Sequence, residues 1–228
     1  MMLWILLLGG PLLLGFWAQH RVKSAFKKWK QVAATSGVTG AQAAQRILEA
    51  AGIRDVEVLE IRDMLGDHYD PARKRLCLSP EVYRTPSVAA LGIAAHECGH
   101  AIQHQKAFAP LQWRMAVVPT TMIVSRILPF LFIGVFIVPA LALKVIMVVA
   151  VCYAVLAVFQ LITLPVEFDA SRRAKIILRE MGMVQAGEEA GGVNQVLDAA
   201  AWTYVAAFVA VFSQLLYYVL ILTGNRNN

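Results

Sequence analysis

Three long apolar stretches separate the polar segments of the chain. Residues 1–18 and 201–223 carry no charged side chain, and residues 117–166 form a longer run that Lys144 divides, just after Pro139. A helix needs about 20 apolar residues to cross the hydrocarbon of a bilayer. The pattern therefore predicts four membrane-spanning helices, at residues 1–18, near 118–142, near 145–165 and at 201–223.

The charges beside these stretches predict their orientation. Residues 1–18 resemble a signal peptide, but no basic residue precedes them and they end in a poor cleavage site. Five basic residues follow within the next dozen positions, so we expect an uncleaved anchor whose basic flank lies in the cytoplasm. Four crossings then place residues 19–116 and 167–200 in the cytoplasm, and the turn at 143–144 and the tail 224–228 outside.

The polar segment 19–116 has the pattern of a small α+β unit. Apolar residues recur at helical spacing over 39–52, whereas polar and apolar residues alternate over 55–61, as in a half-buried strand. A turn signal at Asp70-Pro71 divides residues 67–79 into a predicted hairpin.

Two further elements follow from turn and capping signals. A helix is predicted from Pro86 to about Lys106, because Thr85 is a favourable N-cap and proline a favourable first residue. This helix is rich in alanine and carries three histidines, so it is a poor candidate for a lipid-facing span. The glycine-rich residues 185–195 predict a loop.

Composition strengthens the membrane assignment. Apolar residues make up 58% of the chain and charged residues 16%, against about 45–50% and 25% in soluble domains. Disordered, collagen-like and ordinary soluble proteins are therefore excluded. The net charge of +6 does not indicate nucleic-acid binding, because the basic residues cluster beside the apolar stretches. Three widely spaced cysteines give neither a disulfide framework nor a cysteine zinc site.

One short motif carries chemistry. The segment His96-Glu97-Cys98-Gly99-His100 has the pattern H-E-x-x-H. On a helix, histidines four residues apart project about 40° from each other, so both can bind one Zn²⁺. Glu97 lies beside that face, where its carboxylate can accept a proton from an attacking water. The alternative is a pair of structural histidines with an ion-paired glutamate.

A catalytic zinc ion usually has three protein ligands, so a third must come from elsewhere. His104 lies roughly 12 Å along the helix from His96, too far for one ion. Glu167 is better placed, because two membrane crossings return the chain to the same side and small residues follow it at helical spacing. Asp169 is the rival, although it points about 200° away from Glu167. If neither binds metal, Glu167 is an acidic helix start that complements the helix dipole.

These segments together resemble a known family. HECGHAIQH, preceded by GDHYDPARKRLCLSPEVY and followed across two spans by PVEFDASRRA, is similar to the YugP-like membrane zinc metallopeptidases. The resemblance covers most of the chain and extends more distantly to the HtpX and CAAX prenyl protease gluzincins. It implies that His96, His100 and Glu167 bind zinc and that Glu97 is the base. Ser171 stands where those distant relatives carry an aspartate, so that carboxylate is missing or is supplied by Asp169 or another acid.

The reaction also needs a hydrogen-bond donor for the oxyanion. Arg172, Arg173, His68 and Tyr69 are candidates, although the arginines also fit membrane flanks and the other two fit hairpin residues. The strand near residues 75–78 is expected to pair with an extended substrate.

The sequence thus predicts a mainly α integral membrane protein with about four transmembrane helices and a small cytoplasmic α+β, zincin-like portion. Its segments are an anchor at 1–18, the zincin portion at 19–116, two spans within 117–166, a cytoplasmic helix with the third ligand at 167–200, a span at 201–223 and a tail at 224–228.

The expected function is zinc-dependent hydrolysis of peptide bonds in membrane proteins or peptides near the cytoplasmic face of a bacterial inner membrane. The alternatives are a zinc-binding scaffold that does not cut its partners and, less favoured, a metal transporter. A regulatory membrane partner or a homo-oligomer is compatible with either role.

Overall fold

The structure, a computed structural model, describes residues 2–62 and 66–224, with the backbone alone for residues 2–5, 135, 136 and 139. The chain is mainly helical, with one small sheet and a 3₁₀ turn at Pro139–Leu141. The elements are α1 (Met2–Trp29), α2 (Gly40–Ala50), β1 (Glu57–Glu60), β2 (His68–Asp70), β3 (Arg75–Leu78), α3 (Pro80–Arg84), α4 (Val88–Gln105), α5 (Ala109–Ile137), α6 (Ala142–Glu180) and α7 (Glu188–Gly224).

Three helices of the described chain are long and apolar enough to cross a membrane: residues Ala109–Gly134 of α5, and α6 and α7. Most of their apolar side chains are not buried inside the protein, as expected for helices that face lipid. The fourth predicted span coincides with the first part of α1. The count of four spans stays a prediction, because Met1 and the side chains of residues 2–5 lie outside the described residues.

The break between the two middle spans lies at residues 138–141, slightly before the predicted turn at 143–144. Pro139 explains the position, because proline has no N–H to donate and its ring obstructs the preceding helical turn. Lys144 therefore lies in the first turn of α6. That helix then continues without interruption through Pro165 to Glu180.

The expected loop at 185–195 is wrong beyond residue 187, because α7 begins at Glu188. The side chain of Glu189 holds this helix start, accepting hydrogen bonds from the backbone N–H groups of Gln185 and Thr35. Gly192 serves packing, since a Cβ there would lie 2.5 Å from the ring of Trp29. Close contact between α1 and α7 therefore requires a glycine inside the helix.

The polar segment folds as its local signals predict. Thr39 and Gln42 form a capping box at the start of α2. The side chain of Asp70 accepts hydrogen bonds from the backbone N–H groups of Ala72 and Arg73, which closes the β2–β3 hairpin. The sheet order is β1-β3-β2, with β1 parallel and β2 antiparallel to β3.

Helix α4 lies at the centre of the fold, where α2, α6 and α7 pack around it. Its N-cap is Ser87, which accepts a hydrogen bond from the Ala90 N–H, and not the predicted Thr85, whose hydroxyl donates to the Glu81 carbonyl. Gly99 sets the distance to α6, since a Cβ there would lie 2.8 Å from the Ala170 carbonyl oxygen. This close approach is what the small residues after Glu167 predicted.

Candidate metal centre

Three ligand-type side chains from α4 and α6 meet at one point. One ring nitrogen of His96, one ring nitrogen of His100 and one carboxylate oxygen of Glu167 all lie within 4.8 Å of one another. The side chains are 13%, 11% and 2% exposed, respectively. The H-E-x-x-H spacing supplies the two histidines from one face of α4, and the contact at Gly99 brings α6 close enough for the glutamate.

Two of the three donor separations fit a tetrahedral zinc ion. Ligand atoms about 2.1 Å from zinc at tetrahedral angles lie about 3.4 Å from each other. The Glu167 Oε2 atom lies 3.3 Å from His96 Nε2 and 3.6 Å from His100 Nε2. Two imidazoles and one carboxylate are also a donor set that catalytic zinc sites use, with a fourth position left for water.

Gln103 fixes the orientation of His100. Its side-chain NH₂ donates to the Val166 carbonyl, at 2.8 Å, and to Asp169, at 3.0 Å. Its Oε1 must then accept from His100 Nδ1, which lies 3.0 Å away. His100 therefore carries its proton on Nδ1, and the lone pair of Nε2 points toward Glu167.

His96 is supported by a different group. Its Nδ1 lies 3.1 Å from the hydroxyl oxygen of Ser171, so the serine can accept the Nδ1 proton. Ser171 itself therefore takes the position behind this ligand, in place of the carboxylate expected from the distant relatives. The nearby acid, Asp169, supports His100 through Gln103 and is held by Arg172 and Arg173.

Arg114 on α5 orients Glu167. Its Nη1 donates to Glu167 Oε1 at 2.8 Å, while Oε2 is the oxygen that faces the two histidines. The guanidinium thus occupies one carboxylate oxygen and leaves the other for a metal. Glu167 is nearly fully buried, and this ion pair compensates part of the cost of burying its charge.

Glu97 differs from the other buried acids of the site. It is 8% exposed, and within the described residues no hydrogen bond or ion pair engages its carboxylate. It lines a cavity of about 420 Å³ together with His100 and Glu167. A carboxylate that faces such a cavity without a partner is free to exchange a proton with a bound molecule.

The charges around His100 change its affinity for protons. Burial lowers the pKa of His100, but the hydrogen bond to Glu167 and the charges of Glu97 and Glu167 raise it, and the net direction is upward. Protons therefore compete with a metal ion for Nε2 of His100 more strongly than they would for the nitrogen of an ordinary histidine.

The structure separates the other residues that the sequence singled out. His68 and Tyr69 line the cavity, and the Tyr69 hydroxyl lies 2.9 Å from Nδ1 of His104. Neither His104 nor Asp169 belongs to the ligand cluster. Arg172 and Arg173 line a different cavity, away from Glu97 and the metal ligands.

Strand pairing corrects one expectation. β3 has β1 on one side and β2 on the other, so it cannot accept a substrate strand. β2 is an edge strand of the sheet, and its residues His68 and Tyr69 line the cavity. An extended peptide could therefore pair with β2, beside the metal centre.

Three polar residues of the cavity, Asp67, Arg114 and Tyr204, have no signal in the sequence that marks them as functional. Asp67 accepts hydrogen bonds from the N–H and hydroxyl of Ser79; burial raises the pKa of its carboxyl, and those hydrogen bonds oppose the shift. In the sequence, Arg114 is one more charge beside an apolar stretch. Tyr204 lies near the start of the apolar stretch 201–223, although it faces Glu167 inside the protein.

Comparisons with known proteins identify relatives over nearly the whole chain. Residues 4–223 match the family model described as "Putative neutral zinc metallopeptidase". The chain is 45% identical over 226 residues to the "Putative membrane protease YugP" of Bacillus subtilis (strain 168), covering 99% of both chains. No solved structure matches the chain. The chain therefore belongs to the family described as "Putative neutral zinc metallopeptidase".

Proposed function

We propose that this protein is a membrane endopeptidase of the gluzincin type, which uses zinc held by His96, His100 and Glu167 to hydrolyse peptide bonds. The observation that carries the proposal is the meeting of this donor set with a buried, unpartnered Glu97, which lines one cavity with His100 and Glu167. Structural zinc sites are closed by four protein ligands, whereas this set of three leaves a position open to the cavity.

The proposed mechanism assigns each side chain one task. Zinc in this site would polarise the scissile carbonyl and make a bound water acidic enough to react near neutral pH. Glu97 takes the proton of the attacking water and passes it to the leaving amine. Gln103 and Ser171 hold the two imidazoles with their Nε2 atoms toward the cluster, and Arg114 holds Glu167.

Tyr204 is the proposed oxyanion donor. Tyr204, on α7, lines the cavity, and its phenol interacts with Glu167, so its hydroxyl lies beside the proposed zinc position. The other donors have partners of their own: Arg114 donates to Glu167, Tyr69 pairs with His104, and His68 pairs with the Gly66 carbonyl. Removal of an oxyanion donor typically lowers kcat by a factor of about 10²–10³. We therefore expect Tyr204→Phe to lower kcat by that factor, with KM and zinc content unchanged.

The cavity wall indicates the substrate class. Leu111, Met115 and Val118 of α5 form its apolar side, and they lie in the first part of a helix that can cross the membrane. An apolar side chain next to the scissile bond fits this wall, while the extended backbone pairs with β2. We propose that the substrates are membrane proteins or peptides cut close to the bilayer surface. The basic flanks of the apolar helices support a cytoplasmic site in a bacterial inner membrane.

The decisive variant is Glu97→Gln, which keeps the shape of the side chain but removes the base. Wild-type protein reconstituted in vesicles should cleave fluorescently labelled β-casein and a single-span model membrane protein. Glu97→Gln should retain zinc and lose cleavage, whereas Glu49→Gln, on the exposed face of α2, should change neither. Equal cleavage by wild type and Glu97→Gln would refute the assignment of the base.

The two alternatives make different demands. A zinc-binding scaffold predicts that Glu97→Gln keeps full cellular function, so a complementation assay separates it from an enzyme. A transporter requires the two histidines on a spanning helix. Their helix, α4, is not among the spans found in the described residues, which argues against transport.

A further inference from the structure

A groove between the second half of α1 and the start of α7 is lined by hydrogen-bond donors. Its volume is about 460 Å³, and its polar lining consists of His20, Arg21, Ser24, Lys28 and Gln195. No acidic side chain is among its lining residues. The groove is thus suited to an anion.

The donors of this groove are held in place without being neutralised. The Arg21 guanidinium lies 5.2 Å above the Trp17 ring, and the Lys28 ammonium lies 4.5 Å above the Trp29 ring. Neither cation forms an ion pair with any residue that the structure describes. Gln195 Oε1 accepts a hydrogen bond from Trp29 Nε1 at 2.9 Å, which leaves its side-chain NH₂ to donate into the groove.

Aromatic residues indicate the level of the groove in the bilayer. Trp17 of α1 and Trp202 of α7 make an edge-to-face pair at 5.5 Å, and both remain partly exposed, at 45% and 40%. Tryptophan is enriched at the boundary between hydrocarbon and water. Before Trp17, large apolar side chains such as Leu13 and Phe16 are largely exposed on the surface of the protein. Arg21 follows Trp17 by about 6 Å of helix, which is within the headgroup layer.

We propose that this groove binds the phosphate group of an anionic phospholipid. Phosphate oxygens accept hydrogen bonds from guanidinium, ammonium, hydroxyl and amide groups, which are the groups that line the groove. The lipid tails can enter the hydrocarbon beside Trp17, because this side chain lines the groove and stays exposed. The site is separate from the metal centre, so it stands or falls independently of the proposed peptidase activity.

The test compares two double variants with the same loss of charge. Arg21→Gln/Lys28→Gln removes both cations of the groove, whereas Lys23→Gln/Lys27→Gln removes two exposed cations of the same helix that do not line it. Detergent-purified protein is incubated with equal phosphatidylglycerol and phosphatidylcholine at about 0.15 M salt, where diffuse attraction is screened. Native mass spectrometry then counts the lipids that remain bound.

Wild type and the Lys23/Lys27 variant should retain one phosphatidylglycerol in preference to phosphatidylcholine. The groove variant should bind phosphatidylglycerol about thirtyfold more weakly, or about fivefold for each cation. An equal loss in both variants would show diffuse attraction, and no loss in the groove variant would show that the lipid binds elsewhere. Displacement of the lipid by free glycerol 3-phosphate would show a site for soluble phosphate esters. Each of these results overturns the proposal.

Discussion

Replacement of Gln103 by leucine should weaken zinc binding about 10- to 100-fold while the protein stays folded. Gln103 is fully buried and joins three groups: Nδ1 of His100, the Val166 carbonyl and Asp169. Leucine has a similar volume but can form none of these hydrogen bonds. The His100 ring then loses the acceptor that holds its proton on Nδ1.

The expected loss of zinc affinity follows from the N–H group at Nδ1 of His100, which the leucine leaves without an acceptor. A buried donor without an acceptor costs about 1–3 kcal/mol. Zinc binding requires His100 to keep its proton on Nδ1, so this cost falls on the zinc-bound state. Each 1.4 kcal/mol is about a factor of ten in affinity, so this cost corresponds to a loss of about 5- to 150-fold, which spans the range above. Asp169 keeps its ion pairs with Arg172 and Arg173, so its charge is still compensated. The loss of folding stability should therefore be smaller than the loss of zinc-binding free energy.

The assay is competition for zinc between the detergent-purified protein and a chromophoric chelator, with thermal unfolding measured in parallel. Gln105→Leu makes the same chemical change on the exposed face of the same helix and should leave zinc affinity unchanged. If Gln103→Leu binds zinc within twofold of wild type, then Gln103 does not orient His100. A large fall in thermal stability without a fall in affinity would point to a purely structural role.

Three further changes test the geometry of the site. Gly99→Ala should lower both the unfolding temperature and the zinc content, because overpacking against α6 costs about 1–3 kcal/mol and exceeds the gain in helix propensity. The control is Gly191→Ala, where the new Cβ lies in open space and should lower neither. Arg114→Met should weaken zinc binding about tenfold. It should also change the visible spectrum of the cobalt-substituted protein, because Glu167 Oε1 becomes free to bind the metal. Arg114→Lys keeps the positive charge and should cause smaller changes in both. Zinc affinity should rise with pH until the pH exceeds the raised pKa of His100. On acidification, the loss of zinc affinity should therefore begin above pH 6.5, the ordinary pKa of histidine.

Local sequence patterns predicted the parts of the fold that depend on local physics. The helical spacing of α2, the hairpin turn at Asp70 and the H-E-x-x-H pair are each decided within a few residues. Glu167 needed one non-local argument, the return of the chain after two crossings. The ligand cluster of the structure agrees with that choice and not with Asp169.

Other features could not be predicted because their partners are distant in sequence. Arg114 and Glu167 are 53 residues apart, and Gln103 and Val166 are 63 apart. Nothing in the residues around either partner records such a contact. Gly192 has the same explanation: a loop and a tight contact with Trp29 both favour glycine, and only the position of α1 distinguishes them.

The metal centre belongs to the membrane fold as a whole and not to the polar segment alone. Helix α4 supplies two histidines and the proposed base, but α6 supplies the third ligand and α5 the cation that orients it. Helix α6 runs unbroken from its apolar section through Glu167, so any shift of that helix in the bilayer moves a ligand. Zinc bound by the proposed ligands would therefore join α4 to α6. The bonds that prepare the site for the proposed catalysis would also stabilise the packing of the membrane helices around it.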